Sequence, residues 1–202
     1  MIMRDADVKA TLDETSISSI SKDYPWYQTT NNPDLAQGDI LFQFPIFEIP
    51  PNYLEYIDDP SCLLIKVNYA NVIVMTQSCD LVIRKDGKCK VDYVLLCPFF
   101  FKNELVNDSK FKEEHEWEQA RQGRHIGYHV LNRCKFEDYN DFILVDLKRN
   151  YSINVDVIRN FISREKNRIR LLPPYREHLS QAFATYFMRV GLPVDIPKFS
   201  SK

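Results

Sequence analysis

Short apolar runs with strand-like alternation, separated by charged or turn-rich stretches, dominate the chain from Gly38 onward. GDILFQFPIF sets Ile40, Phe42 and Phe44 on one side and Leu41, Gln43 and Pro45 on the other, the two-residue period of a strand. A proline-rich loop, PPNYLEYIDDP, follows. CLLIKVNYANVIVMT then reads as two β-rich runs broken near Asn68 to Asn71, which predicts a hairpin. RKDGK, from Arg84 to Lys88, carries an Asp-Gly turn signal, and KVDYVLLCPFF is a further strand closed by Pro98.

From Asn107 to Gly123 the texture becomes charged and helix-favouring, with Ser109 as N-cap and Gly123 as C-terminal stop. Its thin apolar face predicts an insertion outside the core. Strand texture returns in YHVLNRCKF and DFILVDL and ends near Tyr151 to Ile153. Asn154 then caps a short helix whose Val157, Ile158, Phe161 and Ile162 make one apolar face. The last helix, about residues 175–190, places Leu179, Ala182, Phe183, Tyr186, Phe187 and Val190 at helical spacing, and Gly191 and Pro193 end it. Residues 1–35, polar and turn-rich, read as an arm that Trp26 and Tyr27 pin to one domain spanning residues 36–202. The expected class is mainly β (α+β), with the final helix clamping one face of the sheet.

Composition narrows the function classes. The 202 residues, 45% of them hydrophobic, suffice for one well-filled core, and 13 Phe with 11 Tyr against 5 Gly favour a rigid one. A net charge of −2 provides no global attraction to nucleic acid or anionic membrane, so such binding needs a local patch. Five cysteines, Cys62, Cys79, Cys89, Cys97 and Cys134, lack any CxxC pair and read as reduced thiols of a cytoplasmic protein. The acidic N-terminus does not fit a signal peptide, and no apolar run has the length of a membrane span, so no membrane partner is expected.

Three stretches carry candidate chemistry. VIVMTQSCDL ends a greasy run in Thr76, Gln77, Ser78, Cys79 and Asp80, a set suited to binding at a strand end. The plain reading is a packed Cys79 thiol and an Asp80 that caps a turn; the reactive one makes Cys79 a nucleophile with His125 or His129 as base. RQGRHIGYH unites Arg121, Arg124, His125 and His129: arginine forks suit phosphate oxygens, and imidazoles move protons near neutral pH. The plain alternative is a solvated loop and strand edge. SREKNRIRLL projects Arg164, Lys166, Arg168 and Arg170 to one side if extended, with Arg176 and His178 just beyond. This basic stripe suits nucleic-acid phosphates, a salt-bridged surface or an acidic partner equally. No cofactor or metal motif is present.

Taken in order, these pieces resemble the PemK/MazF-like (CcdB/PemK-type) toxin superfamily. Gly38-Asp39-Ile40 is similar to the family's opening strand, Val72 to Thr76 to its buried strand, Val94 to Pro98 to the strand ending in proline, and Val145 to Ile162 to its late strand, turn and helix. The resemblance implies a small, strongly curved β-barrel, RNA as substrate, an antitoxin-like protein as partner and a homo-oligomer. In the family an arginine before the second strand and a Ser or Thr after the proline act on RNA; here Asn71 and Phe99 to Phe101 occupy that ground. The expected function is therefore toxin- or defence-type, metal-independent RNA cleavage by His125, Arg124 and Arg121, with Thr76 to Asp80, Arg168, Arg170, Arg176 and His178 binding. The alternatives are an inert barrel that binds a protein or nucleic-acid partner, and a hydrolase or transferase using Cys79.

Overall fold

In the computed structural model, which describes residues 24–188 except 57, 60, 62, 86, 109, 137 and 138, the chain is mainly β. The strands are β1 (Tyr27–Thr30), β2 (Asp39–Glu48), β3 (Lys66–Val74), β4 (Tyr93–Phe101), β5 (Tyr128–Phe136), β6 (Tyr139–Asp146), β7 (Tyr151–Asn154) and β8 (Arg168–Leu171). Four α-helices accompany them: α1 (Ser78–Leu81), α2 (Glu114–Arg121), α3 (Val155–Ile162) and α4 (Tyr175–Phe187). All pairings are antiparallel, in the order β1-β8-β2-β3-β4-β6-β5, with β7 also on β4. Among the described residues the ladder does not close, so a complete barrel is not formed. The edge strands meet instead through a side chain, the Tyr27 hydroxyl donating to the Asn132 carbonyl at 2.8 Å.

Both faces of the sheet are buried, because alternate residues of each strand feed different clusters. Ile40, Ile73, Phe99, Val145 and Ile169 pack with Leu179 of α4 on one face; Leu41, Val72, Val74 and Leu96 pack with Ile158 and Ile162 of α3 on the other. The expected alternation in β2 holds only as far as Phe42. A bulge between Leu41 and Phe44, with Gln43 at φ +50°, moves Phe44 to the α3 face. The Gln43 N–H is met by Asn71 Oδ1 at 3.1 Å.

Several other expectations change. No hairpin breaks the segment around Asn68 to Asn71: β3 runs unbroken from Lys66 to Val74 because β2 pairs along nearly its whole length. Pro98 does not close β4 but lies within it, opposite Val72. It is tolerated because on the other side β4 changes partner there: Tyr93 to Leu96 pair with β7 and Phe99 to Phe101 with β6, leaving no demand for the missing N–H. Trp26 and Tyr27 do pin the segment before residue 36, Trp26 stacking on Tyr175 with ring centroids 3.6 Å apart and Tyr27 opening β1, which pairs with β8. Ser109 and the segment beyond Met188 lie outside the described residues. Asn154 does cap α3, its Oδ1 accepting from the Asp156 N–H at 2.9 Å, but Val155 replaces the exposed Val157 on the buried face.

Arg168 and Arg170 require the main correction. They share a side of β8, yet they face a carboxylate rather than an open binding surface. Asp39 is fully buried; its Oδ2 accepts from Arg168 Nε and from the Ala36 N–H, each at 2.9 Å, and from Arg170 Nη2 at 3.0 Å. Arg170 Nε reaches Oδ1 at 2.5 Å, and both guanidinium groups also donate to the Asp34 carbonyl. Preceding Gly38 adopts φ +84°, and a Cβ there would stand 2.9 Å from the Leu171 carbonyl oxygen, so the turn delivering Asp39 needs glycine.

Asp39→Asn leaves two largely buried guanidinium groups without a counter-charge. Urea unfolding is expected to show a loss of about 3–5 kcal/mol; a loss below about 1 kcal/mol contradicts the assigned role.

Candidate functional site

Helix α2 is anchored by Trp117 and Ala120, which pack with Phe111 and Leu144, and Trp117 Nε1 donates to the Phe111 carbonyl at 3.0 Å. Its C-terminus is a Schellman turn. Gly123 at φ +72° donates to Ala120 O and Arg124 N to Gln119 O, so the chain reverses and presents His125 back toward the helix. His125 Nε2 lies 2.5 Å from Glu116 Oε2. That hydrogen bond, aided by the nearby His115, holds the Glu116 carboxyl below the usual carboxylate range.

Strand β5 begins three residues after His125, and α4 packs against β5. Together they form a cavity of about 410 Å³ lined by Arg121, His125, Tyr128, His129, His178 and Gln181, with Gly123, Leu147 and Thr185 among its other walls. The His129 and His178 rings face each other with centroids 5.1 Å apart and planes at 73°. Burial, reinforced by the neighbouring His178, pushes the His129 imidazole down to about 4, so it is neutral at pH 7. Arg121 stands at the rim with its fork on Glu118, at 2.6 and 2.8 Å. Arg124 is exposed and does not line the cavity.

His125 and Arg121 are therefore brought together, and Arg124 is left outside. His178, read as a binding residue, joins them from α4. Glu116 and Tyr128 were missed: EHEWEQAR gave no local sign that Glu116 would meet a histidine beyond the helix end.

The strand-end set serves largely as a structural junction. Thr76 Oγ1 accepts from the Leu95 N–H at 2.7 Å, and Ser78 Oγ from the Gln37 N–H at 3.0 Å. Gln37 Nε2 bridges to Met75 O and Ser180 Oγ, tying β3 to α4. Asp80 does not cap a turn with its side chain; it pairs with Lys90 at 3.2 Å. Cys79 is exposed rather than packed, and it lines a separate cavity of about 300 Å³ with Gln77, Ser78, Arg176, Glu177 and Ser180. No histidine lines that cavity; the Cys79 thiol instead donates to Asp80 Oδ1 at 3.7 Å, the same oxygen that pairs with Lys90. Arg176 is turned onto Glu177 at 2.5 Å. The buried thiols of Cys97 and Cys134 are pushed up to about 12 and about 11 by desolvation and stay protonated.

Among the described residues no group of three or more His, Cys, Asp and Glu side chains is arranged to hold a metal ion, and no helix is long and apolar enough to cross a membrane. Comparison with protein-family models, curated proteins and solved structures returns no match.

His129 binds a proton near pH 6.5 in the unfolded chain but only near pH 4 when folded, so the unfolded state holds more protons between those values. Stability is expected to fall by about 1–3 kcal/mol as pH drops through this window, with no further loss from this group below it. Chemical denaturation across pH should show the slope in the parent and its flattening in His129→Gln.

Proposed function

We propose that the protein cleaves RNA without a metal ion, by attack of a ribose 2′-hydroxyl on the adjacent phosphate. The observation carrying this reading is the convergence of Arg121, His125, His129 and His178 on one cavity. Neutral His129 takes the 2′-hydroxyl proton as the oxygen attacks phosphorus. His125, oriented by the Glu116 carboxylate, gives a proton to the departing 5′-oxygen. Arg121 exchanges Glu118 for the phosphate oxygens and stabilises their charge, with Arg124 adding to the field outside the cavity. The products are a 2′,3′-cyclic phosphate and a free 5′-hydroxyl.

On this reading the curled sheet is a divergent PemK/MazF-like barrel whose seam between β1 and β5 is bridged by Tyr27, and the protein is a toxin- or defence-type ribonuclease. Asn71 in place of an arginine, and the burial of Phe99 and Phe101, favour a second reading: an inert scaffold that binds a protein or nucleic-acid partner.

Incubation with mixed-sequence RNA in EDTA distinguishes the two. Cleavage to cyclic-phosphate ends is expected, rising with pH through about 4 as His129 loses its proton. His125→Ala and His129→Gln should each lower the rate about 100-fold or more. Unchanged cleavage in both variants removes the histidine assignment, and no cleavage by the folded parent leaves the binding reading.

A further inference from the structure

Strands β3 and β4 share only three rungs, Val72 to Val74 against Leu96 to Pro98, and then part. Beyond the fork β3 continues outward from Asn71 to Lys66, held by β2 on one side and by no described strand on the other. That free edge is six residues long, about 20 Å. On the opposite wall, Phe99 and Phe100 pair only with β6, so the β4 edge facing β3 is open too. Between the walls is a cavity of about 450 Å³ whose lining includes Gln43, Tyr69, Asn71, Phe100 and Arg149.

Two polar groups in this fork have bonding capacity to spare. Asn71 is only 7% exposed, and its Oδ1 is engaged by Gln43, but its Nδ2 has no partner among the described residues. Arg149 spends Nε on Asp146 at 2.9 Å and lies over the Phe100 ring, while its two Nη groups are unpaired among the described residues. The left-handed Gln43 that presents its N–H to Asn71 is backbone strain kept at the same place. Tyr69, 66% exposed, adds an apolar wall. Two carboxylates also line the fork: Glu104 accepts from the Phe101 N–H at 2.7 Å, and Glu48 sits at the outer end opposite Lys66 in the ladder.

We propose that this fork is a docking site for an extended peptide segment of a partner protein, which adds as a strand to the free edge of β3 and places a carboxylate side chain on Arg149. The chemistry recognises backbone first. An unpaired edge offers alternating N–H and C=O groups at strand spacing, which an extended peptide matches. Asn71 Nδ2 donates to a peptide carbonyl at the inner end, where the β3–β4 ladder stops. The unpaired Nη groups of Arg149 select the acid by charge, and alternate peptide side chains lie against Tyr69 and Phe100. The site is independent of the histidine cavity, and its test does not depend on RNA cleavage.

Selection of a phage-displayed random decapeptide library on the full-length chain tests the proposal. Enriched peptides are expected to share one Asp or Glu at a fixed place in an alternating sequence free of proline. A synthetic copy should slow amide hydrogen exchange in Lys66 to Ala70, and it should bind about ten-fold more weakly to Arg149→Gln. Because Arg149 also pairs with Asp146, the exposed Tyr69→Ser serves as a second variant and should weaken binding without lowering stability. The proposal is overturned if no peptide is enriched, if the acid is not shared, or if protection falls elsewhere. It is also overturned if a ten-nucleotide oligouridylate displaces the peptide from this edge, or if raising the protein concentration alone protects Lys66 to Ala70, which would make the occupant a nucleic acid or a second copy.

Discussion

The ion cluster at Asp39 holds together parts of the chain that no strand ladder alone unites. One carboxylate gathers the Ala36 N–H and the guanidinium groups of Arg168 and Arg170, and those groups reach on to the Asp34 carbonyl. Burying one negative and two positive charges is unfavourable unless nearly every donor and acceptor is met. Here they are met by geometry that leaves little freedom: Gly38 must take its left-handed turn, and Arg170 must stand opposite Asp39 in the ladder. The beginning of β2, the whole of β8 and the entry loop are thereby fixed relative to one another, and α4 starts four residues after β8 ends.

From that fixed corner the placement of the histidine cavity follows. Helix α4 carries Leu179 into one core face and His178 to the cavity wall, while β5 brings His129 to the same place from the far edge of the sheet. His125 arrives by a different route, through the glycine turn that ends α2. Elements from both ends of the sheet order thus meet at one surface, as the two edge strands do through Tyr27 and Asn132.

The long strands were legible in place but not in extent, since β3 was read as a hairpin and β4 as ending at Pro98, whereas the caps at Asn154 and Gly123 were legible because their side chains or conformations act locally. Strands β1 and β8 were not, as four residues are too few for a period to register. Phe44 was assigned to the wrong face because one left-handed residue, Gln43, reverses the alternation beyond it. The spacing of Arg168 and Arg170 correctly put them on one side, but which side depended on a buried carboxylate far upstream. In the same way RQGRHIGYH announced its histidines, while the meeting of His129 with His178 required α4 to fold across β5.

The pairing of β1 with β8 also sets the order in which the molecule can be completed. Tyr27 lies opposite Leu171 and Thr30 opposite Arg168, so β1 has no place in the sheet until β8, far downstream, exists. Asp39 waits for the same segment. A ribosome-bound chain can assemble β2 to β4 from sequence-near contacts, but its border strand and its charged corner are closed only once β8 has been synthesised. Such long-range closure slows folding, because the chain loses entropy before the contacts form. During synthesis the nascent chain therefore carries an unbordered sheet and an unpaired Asp39, and the interval before β8 emerges is when it most needs protection from other chains.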